Sequence, residues 1–184
     1  LSSAYTFAHR TISNKYELVA VSFRWYNYQQ EWVNNFTLGK TGDHEGFTAR
    51  ANETLTALQT YISEHLGERK LKLWFSGYSR GGGIANVLSS LILRGNAINV
   101  KDSDMFVYTF EAPRGVSNAN TVAYKNVHNI VSGGDIVAQF APAEYNLTRC
   151  GVDHEIYSFY LSSLMSKFDP DVEIPEYVEP TENS

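Results

Sequence analysis

The chain has 184 residues, of which 43% are hydrophobic and 19% charged, enough for one domain with a substantial core. A formal net charge of −5 and a pI near 5.5 leave no basic surface for nucleic acid. No apolar run approaches the ~20 residues that a membrane helix requires, and the best candidate, Ile84 to Leu93, carries Asn86, Ser89 and Ser90.

Two short runs, Tyr5 to Ile12 and Leu18 to Phe23, read as strands joined by the turn Ser13-Asn14-Lys15. From Phe47 the apolar positions Ala51, Leu55, Leu58, Ile62 and Leu66 share one helical face, which Gly67 can close. Leu71 to Ser76 reads as a buried strand. After it Ile84, Val87, Leu88, Leu91 and Ile92 fall at i, i+3, i+4, i+7 and i+8, a helix ending near Gly95. Met105 to Phe110 and Val127 to Val131 are further strands, apolar nearly throughout, as expected when helices cover both sheet faces. A weaker helical pattern runs from Ile156 through Phe159, Tyr160 and Leu164 to Phe168. The alternation predicts an α/β fold with a mainly parallel sheet, helices on both faces, and one domain over residues 1–168. Residues 169–184 are acidic and rich in proline, and read as an arm or linker.

Cys150 is the only cysteine, so no internal disulfide can form. The sequons at Asn35, Asn52 and Asn146 are close to the roughly two that chance supplies in such a composition. No repeat and no signal peptide are visible. The chain starts at Leu1, which fits either removal of a leading segment or excision from a longer chain.

Gly77-Tyr78-Ser79-Arg80-Gly81 matches G-x-S-x-G between a strand and a helix. That is the context of a nucleophile elbow, in which a strained turn presents the serine at the strand's carboxyl end. Phosphate and dinucleotide loops need Gly-Lys-Ser/Thr or G-x-G-x-x-G, and neither register fits. The alternative is a glycine-rich turn whose serine only caps the helix.

A serine nucleophile needs a base, and the base an orienting acid, in the chain order Ser, acid, His. Asp135 lies just beyond the strand Val127 to Val131 and the turn Gly133-Gly134, and is the candidate acid; the alternative is that it caps a turn or pairs with an arginine. Asp102, Asp104 and Asp153 are weaker rivals. Among the histidines, His9 lies in a strand, His44 precedes a helix, His65 ends one, and His128 lies within a strand before Asp135. Only His154 follows the acid, so it is the candidate base, with an ordinary surface role as its alternative.

Taken together these segments resemble the class 3, fungal-lipase-like α/β-hydrolases, in particular a bacterial branch of lipase-like proteins, over roughly Tyr5 to Glu155. The hairpin "AYTFAHRTI…YELVAVSFR", then "EWVNNF", "HEGF", "SGYSRGGGIANVL", "YTFEAPRG" and "NIVSGGDIVAQFAP" follow the family's motifs in the family's order. The resemblance implies an elbow at Ser79, the acid at Asp135, and hydrolysis of lipid or other acyl esters without metal or organic cofactor. It implies an oxyanion hole from the backbone N–H of Arg80 and of Trp25 or Tyr26. It also implies a lid over about Tyr26 to Phe36, whose Tyr28, Trp32 and Phe36 would line an acyl site. Family habit points to a secreted or envelope-associated protein.

Four positions depart from the family pattern. Arg24-Trp25-Tyr26 stands where Arg-Gly-Ser/Thr is usual, Tyr78 replaces a histidine, and Glu111 replaces a small residue. Glu111 is expected to pair with Arg80 or Arg114 or to shape substrate polarity. The family's base normally lies some tens of residues further on, where this chain has no histidine. Three readings follow: His154 serves as base, the base lies on further sequence, or the domain is catalytically silent and binds a ligand or partner.

Overall fold

Strand β1 (Ala4–Thr11) and strand β2 (Tyr16–Arg24) form an antiparallel hairpin. The turn closes on Ser13, whose hydroxyl accepts the N–H groups of Lys15 and Tyr16 at 3.2 Å each, a serine standing in for a backbone acceptor. Alternation along β2 turns Val19, Val21 and Phe23 inward together with Glu17, whose buried carboxylate accepts the Thr11 hydroxyl at 2.9 Å. These elements belong to a computed structural model that describes residues 4–24, 38–39, 41–67, 69–139, 141 and 143–156.

Helix α1 (Glu45–His65) begins at His44, whose Nδ1 accepts the Phe47 N–H at 3.3 Å and so does the work of a Ser or Asp cap. Strand β3 (Lys70–Tyr78) leads into helix α2 (Arg80–Gly95), which ends at Asn96 in the left-handed conformation. Then come β4 (Met105–Phe110), the short β5 (Val116–Ser117), β6 (Val127–Ser132), the single turn α3 (Ile136–Gln139), β7 (Leu147–Thr148) and β8 (Val152–Ile156). The main sheet has the order β1-β2-β3-β4-β6-β8, and every pair from β2 onward is parallel. β5 and β7 pair separately.

Each crossover steps the same way along the sheet, and right-handed crossovers that never reverse put their helices on one face. Leu73, Phe75, Met105, Val107 and Val127 accordingly pack beneath Phe47, Leu58, Ile84, Leu88 and Ile92. Each such side chain contributes about 1.5–3 kcal/mol by leaving water. Tyr78, Trp74, Tyr108 and Phe110 point from the opposite face and are exposed among the described residues. The helical pattern after Ile156 and the acidic stretch 169–184 lie outside the described residues. No helix of the described chain is long and apolar enough to cross a membrane.

Candidate active site

The elbow includes one of the four non-glycine residues with positive φ among the described residues. Ser79 has φ 53 and ψ −126, in a region that side chains bearing a Cβ rarely occupy. Holding such a residue costs about 1–3 kcal/mol, so its surroundings must enforce it. They do: the Ser79 N–H donates to the Phe110 carbonyl at 2.8 Å, and the Ser79 carbonyl accepts the Gly83 N–H at 3.0 Å. The turn also needs chain to pass close to chain. A Cβ on Gly77 would fall 2.5 Å from the Gly81 carbonyl oxygen, a distance no structure tolerates. The Ser79 side chain makes no capping hydrogen bond to α2, which removes the capping alternative.

Arg80, the first residue of α2, is buried, and its guanidinium lies 5.6 Å from the centre of the Phe47 ring. The His44 ring stacks on the other partner of that layer, 3.9 Å from Phe47 at an interplanar angle of 10°. These side chains occupy the helix side and leave the N-terminus of α2 beside Ser79. There the unpaired helical N–H groups favour developing negative charge. The carboxyl end of β2 abuts the same turn, since a Cβ on Gly81 would lie 3.1 Å from the Phe23 carbonyl oxygen. The chain therefore leaves β2 at Arg24 next to the elbow. Trp25, Tyr26, Tyr28, Trp32 and Phe36 lie outside the described residues.

Asp135 sits beyond the carboxyl end of β6, separated from β3 by β4 alone. Two strand spacings make about 10 Å, the order of span that an imidazole hydrogen-bonded on both sides covers. Its N–H donates to the Ser132 carbonyl at 3.1 Å, and its Oδ1 accepts the Val137 N–H at 2.8 Å, opening the turn α3. Asp135 does cap a turn, with one carboxylate oxygen.

His154 is not at the elbow. It lies in β8, paired with Ile130, which in turn pairs with Phe110 and then Tyr78. Three strand spacings put its Cα about 14 Å from that of Tyr78. Its Nε2 is 2.9 Å from Nδ1 of His128, the two rings lie 5.1 Å apart, and His128 stacks on Tyr108 on the exposed sheet face. The physical reason is the strand itself. Val152, His154 and Ile156 alternate with Asp153 and Glu155, and that period fixes the imidazole on the outer face. His44 caps α1, His9 bonds the Tyr61 hydroxyl at 2.7 Å, and His65 bonds the Tyr61 carbonyl at 3.1 Å. Among the described residues no histidine hydrogen-bonds to Ser79.

Glu111 also differs from expectation. It pairs with neither Arg80 nor Arg114 in the described contacts; its Oε2 accepts the Ser132 N–H at 2.9 Å, at the end of β6. Its own backbone is left-handed, φ 48. Arg114 instead donates from Nη2 to Gln139 Oε1 at 2.8 Å. Arg149 carries no motif signal: it donates to the Asp153 carboxylate and to the backbone carbonyls of Ala112 and Ala138, contacts that no spacing in the sequence advertises.

No cluster of three or more metal-ligating side chains occurs among the described residues. An open cleft of about 600 Å³ lies between the start of α1 and Arg94 at the far end of α2. At 1.5 Å per residue Arg94 is about 20 Å along the helix from the elbow, so the cleft is not this site.

The profile of the class 3 lipase family matches residues 6–145. The chain belongs to the class 3 lipase family. Solved structures agree on the fold. The Rhizomucor miehei triacylglyceride lipase is 22% identical, with a TM-score of 0.61, over 84% of this chain and 62% of that one. The lipase of Rhizopus microsporus var. chinensis is 19% identical, with a TM-score of 0.56, over 84% and 57%. A triacylglycerol lipase whose catalytic centre is formed by a serine protease triad is 21% identical, with a TM-score of 0.57, over 76% and 57%. The chain thus spans between about half and two thirds of the length of the lipases it matches. No curated protein sequence matches it.

Proposed function

We propose that this class 3 lipase-family chain carries the nucleophile and the orienting acid of a serine hydrolase that cleaves lipid or other carboxylic esters through an acyl-enzyme. The observation that carries the reading is Ser79, held at φ 53 and ψ −126 with no capping bond to occupy its hydroxyl. Membership in a lipase family and likeness to a triacylglycerol lipase with a serine protease triad support it.

In this reading Ser79 Oγ attacks the acyl carbonyl carbon and its proton passes to a histidine that Asp135 orients. The carbonyl becomes an oxyanion held by the Arg80 N–H and by a second amide from the chain after Arg24, at Trp25 or Tyr26. Removing one such donor costs ~10²–10³ in rate in comparable sites. Collapse of the tetrahedral species expels the alcohol, which takes the proton from the imidazolium. Water then attacks the acyl-enzyme by the same route and returns the serine. None of the five histidines of this sequence hydrogen-bonds to Ser79 or Asp135 among the described contacts: His9, His44 and His65 bond elsewhere, and His128 and His154 face the other way. No cofactor is required at any step.

The test is ester cleavage by the whole chain across short and long acyl esters. Wild type is expected to release alcohol, Ser79→Ala to release none above background, and Asp135→Asn to be slowed by ~10²-fold or more. Turnover that persists in Ser79→Ala contradicts the reading.

A second reading rests on the same displaced histidine: an elbow without a base at hand is a binding module. It predicts saturable binding of an acyl ester or its analogue with no release of alcohol.

A further inference from the structure

We propose that Glu111, Arg114 and Arg149 form a clamp whose task is to position the turn bearing Asp135; the inference rests on the hydrolase reading and deepens it.

The turn cannot hold itself. From Ser132 to Gln139 its internal backbone bonds are Asp135 N–H to Ser132 O at 3.1 Å and Gln139 N–H to Asp135 O at 3.1 Å. The helix it opens, α3, is four residues long, far below the length at which helix propagation offsets nucleation. Two glycines, Gly133 and Gly134, precede the acid and add backbone freedom. A carboxylate on such a segment would sample many positions, whereas orienting an imidazole requires one.

Three charged side chains from other elements grip the segment along its length. At the start, Glu111 Oε2 accepts the Ser132 N–H at 2.9 Å. Its left-handed backbone, φ 48, aims the carboxylate at β6 from the end of β4. At the end, Arg114 Nη2 donates to Gln139 Oε1 at 2.8 Å. Between them Arg149 Nη1 donates to the Ala138 carbonyl at 2.7 Å and to the Ala112 carbonyl at 2.9 Å. Arg149 is itself fixed. Its Nη2 and Nε donate to the Asp153 carboxylate at 2.6 and 3.1 Å, and the residue is only 6% exposed. A guanidinium this deep must be fully paired, so it has few alternative positions. The carbonyls it joins belong to the loop after β4 and to the turn after β6, the two segments that flank the acid.

All three are positioning residues: they act through the turn and do not touch the reacting atoms. Loosening any grip should free the Val137 and Gln139 amides and let the Asp135 carboxylate leave the position from which it would orient a base. Weaker carboxylate contact lowers the basicity of that group.

The experiment compares wild type, Arg149→Met, Arg149→Lys, Glu111→Ala and Glu111→Gln as full chains. It reads amide exchange and the pH dependence of Ser79 labelling by a fluorophosphonate. In Arg149→Met and Glu111→Ala, exchange at Val137 and Gln139 should quicken by about 10- to 100-fold while β3 and α2 stay protected. Labelling should slow, and its acid limb should move to lower pH. Glu111→Gln keeps an oxygen acceptor for Ser132 and should restore both readouts. Should Arg149→Met fail to fold, the Glu111 pair, at a half-buried position, decides. Unchanged exchange in a folded Glu111→Ala overturns the clamp. Loosened amides with an unaltered pH profile overturn its positioning role. Wild type that never labels counts against the hydrolase reading, and with it the positioning role, while exchange still decides whether the clamp exists.

Discussion

Asn86, in the helix that follows the nucleophile elbow, donates through Nδ2 to Oδ1 of Asn129 at 2.8 Å, in the strand that leads to Asp135. Both residues are buried. Asn129 also accepts the Thr109 hydroxyl at 2.7 Å and donates to the Cys150 carbonyl and to Asp153 Oδ1, each at 2.9 Å. Asn86 Oδ1 accepts the Cys150 N–H at 2.9 Å. One satisfied polar cluster therefore ties the elbow helix, two central strands and the loop before β8 together beneath the sheet.

Removing one member strands the others without water. Asn129→Leu should cost about 3 kcal/mol or more in urea unfolding, since several buried groups lose partners at once. Asn86→Ala and Asn129→Ala should couple in a double-mutant cycle by about 0.5–3 kcal/mol. Additive losses would show that the two amides act independently.

The strain at Ser79 makes a stability prediction of opposite sign. Ser79→Gly relieves a positive φ that costs about 1–3 kcal/mol, less about 0.5–1 kcal/mol for glycine's extra chain entropy. The variant should be more stable than wild type by about 1 kcal/mol and inert toward ester. Ser79→Ala keeps the Cβ and should gain nothing. Equal stability of the glycine and alanine variants would show that the turn is unstrained.

His154→Ala and His128→Ala should leave Ser79 reactivity unchanged, because the pair faces the outer side of the sheet about three strand spacings away. Stability should move within about 0.5 kcal/mol, as for surface positions. Loss of reactivity in His154→Ala would return it to the role of base.

Burial pushes the Cys150 thiol up from 9.0 to about 12. It should resist alkylation at pH 8 in the folded protein and react readily in denaturant. Between pH 9.0 and about 12 the unfolded thiol loses its proton while the folded one keeps it. The unfolded state then binds fewer protons, so stability falls as pH rises above 9. Cys150→Ala should show a shallower decline over that range, measured by unfolding at fixed temperature.

Much of this was legible in the residues. Period-3.6 spacing marked α1 and α2, because each buries one stripe against the sheet, and G-x-S-x-G between strand and helix marked the elbow. β8 was not legible. Its outward Val152, His154 and Ile156 alternate with Asp153 and Glu155, so its hydropathy resembles a loop even though five residues pair in parallel with β6. Read as a loop, that segment leaves His154 available as a base; as a strand it fixes the imidazole on the outer face. Nor could a sequence reveal Glu111 or Arg149 as anchors of the acid turn. On the acid turn and the loop after β4 they meet a backbone N–H and backbone carbonyls, which carry no residue identity. The one-sided placement of α1 and α2 follows from strand order, and order is a tertiary property.

Whether Ser79 is a nucleophile is read by mass spectrometry of the full chain after exposure to a fluorophosphonate. A single adduct is expected at Ser79, formed faster than on free serine and absent from Ser79→Ala. A folded wild-type protein that remains unmodified, or carries its adduct elsewhere, would contradict a nucleophilic Ser79.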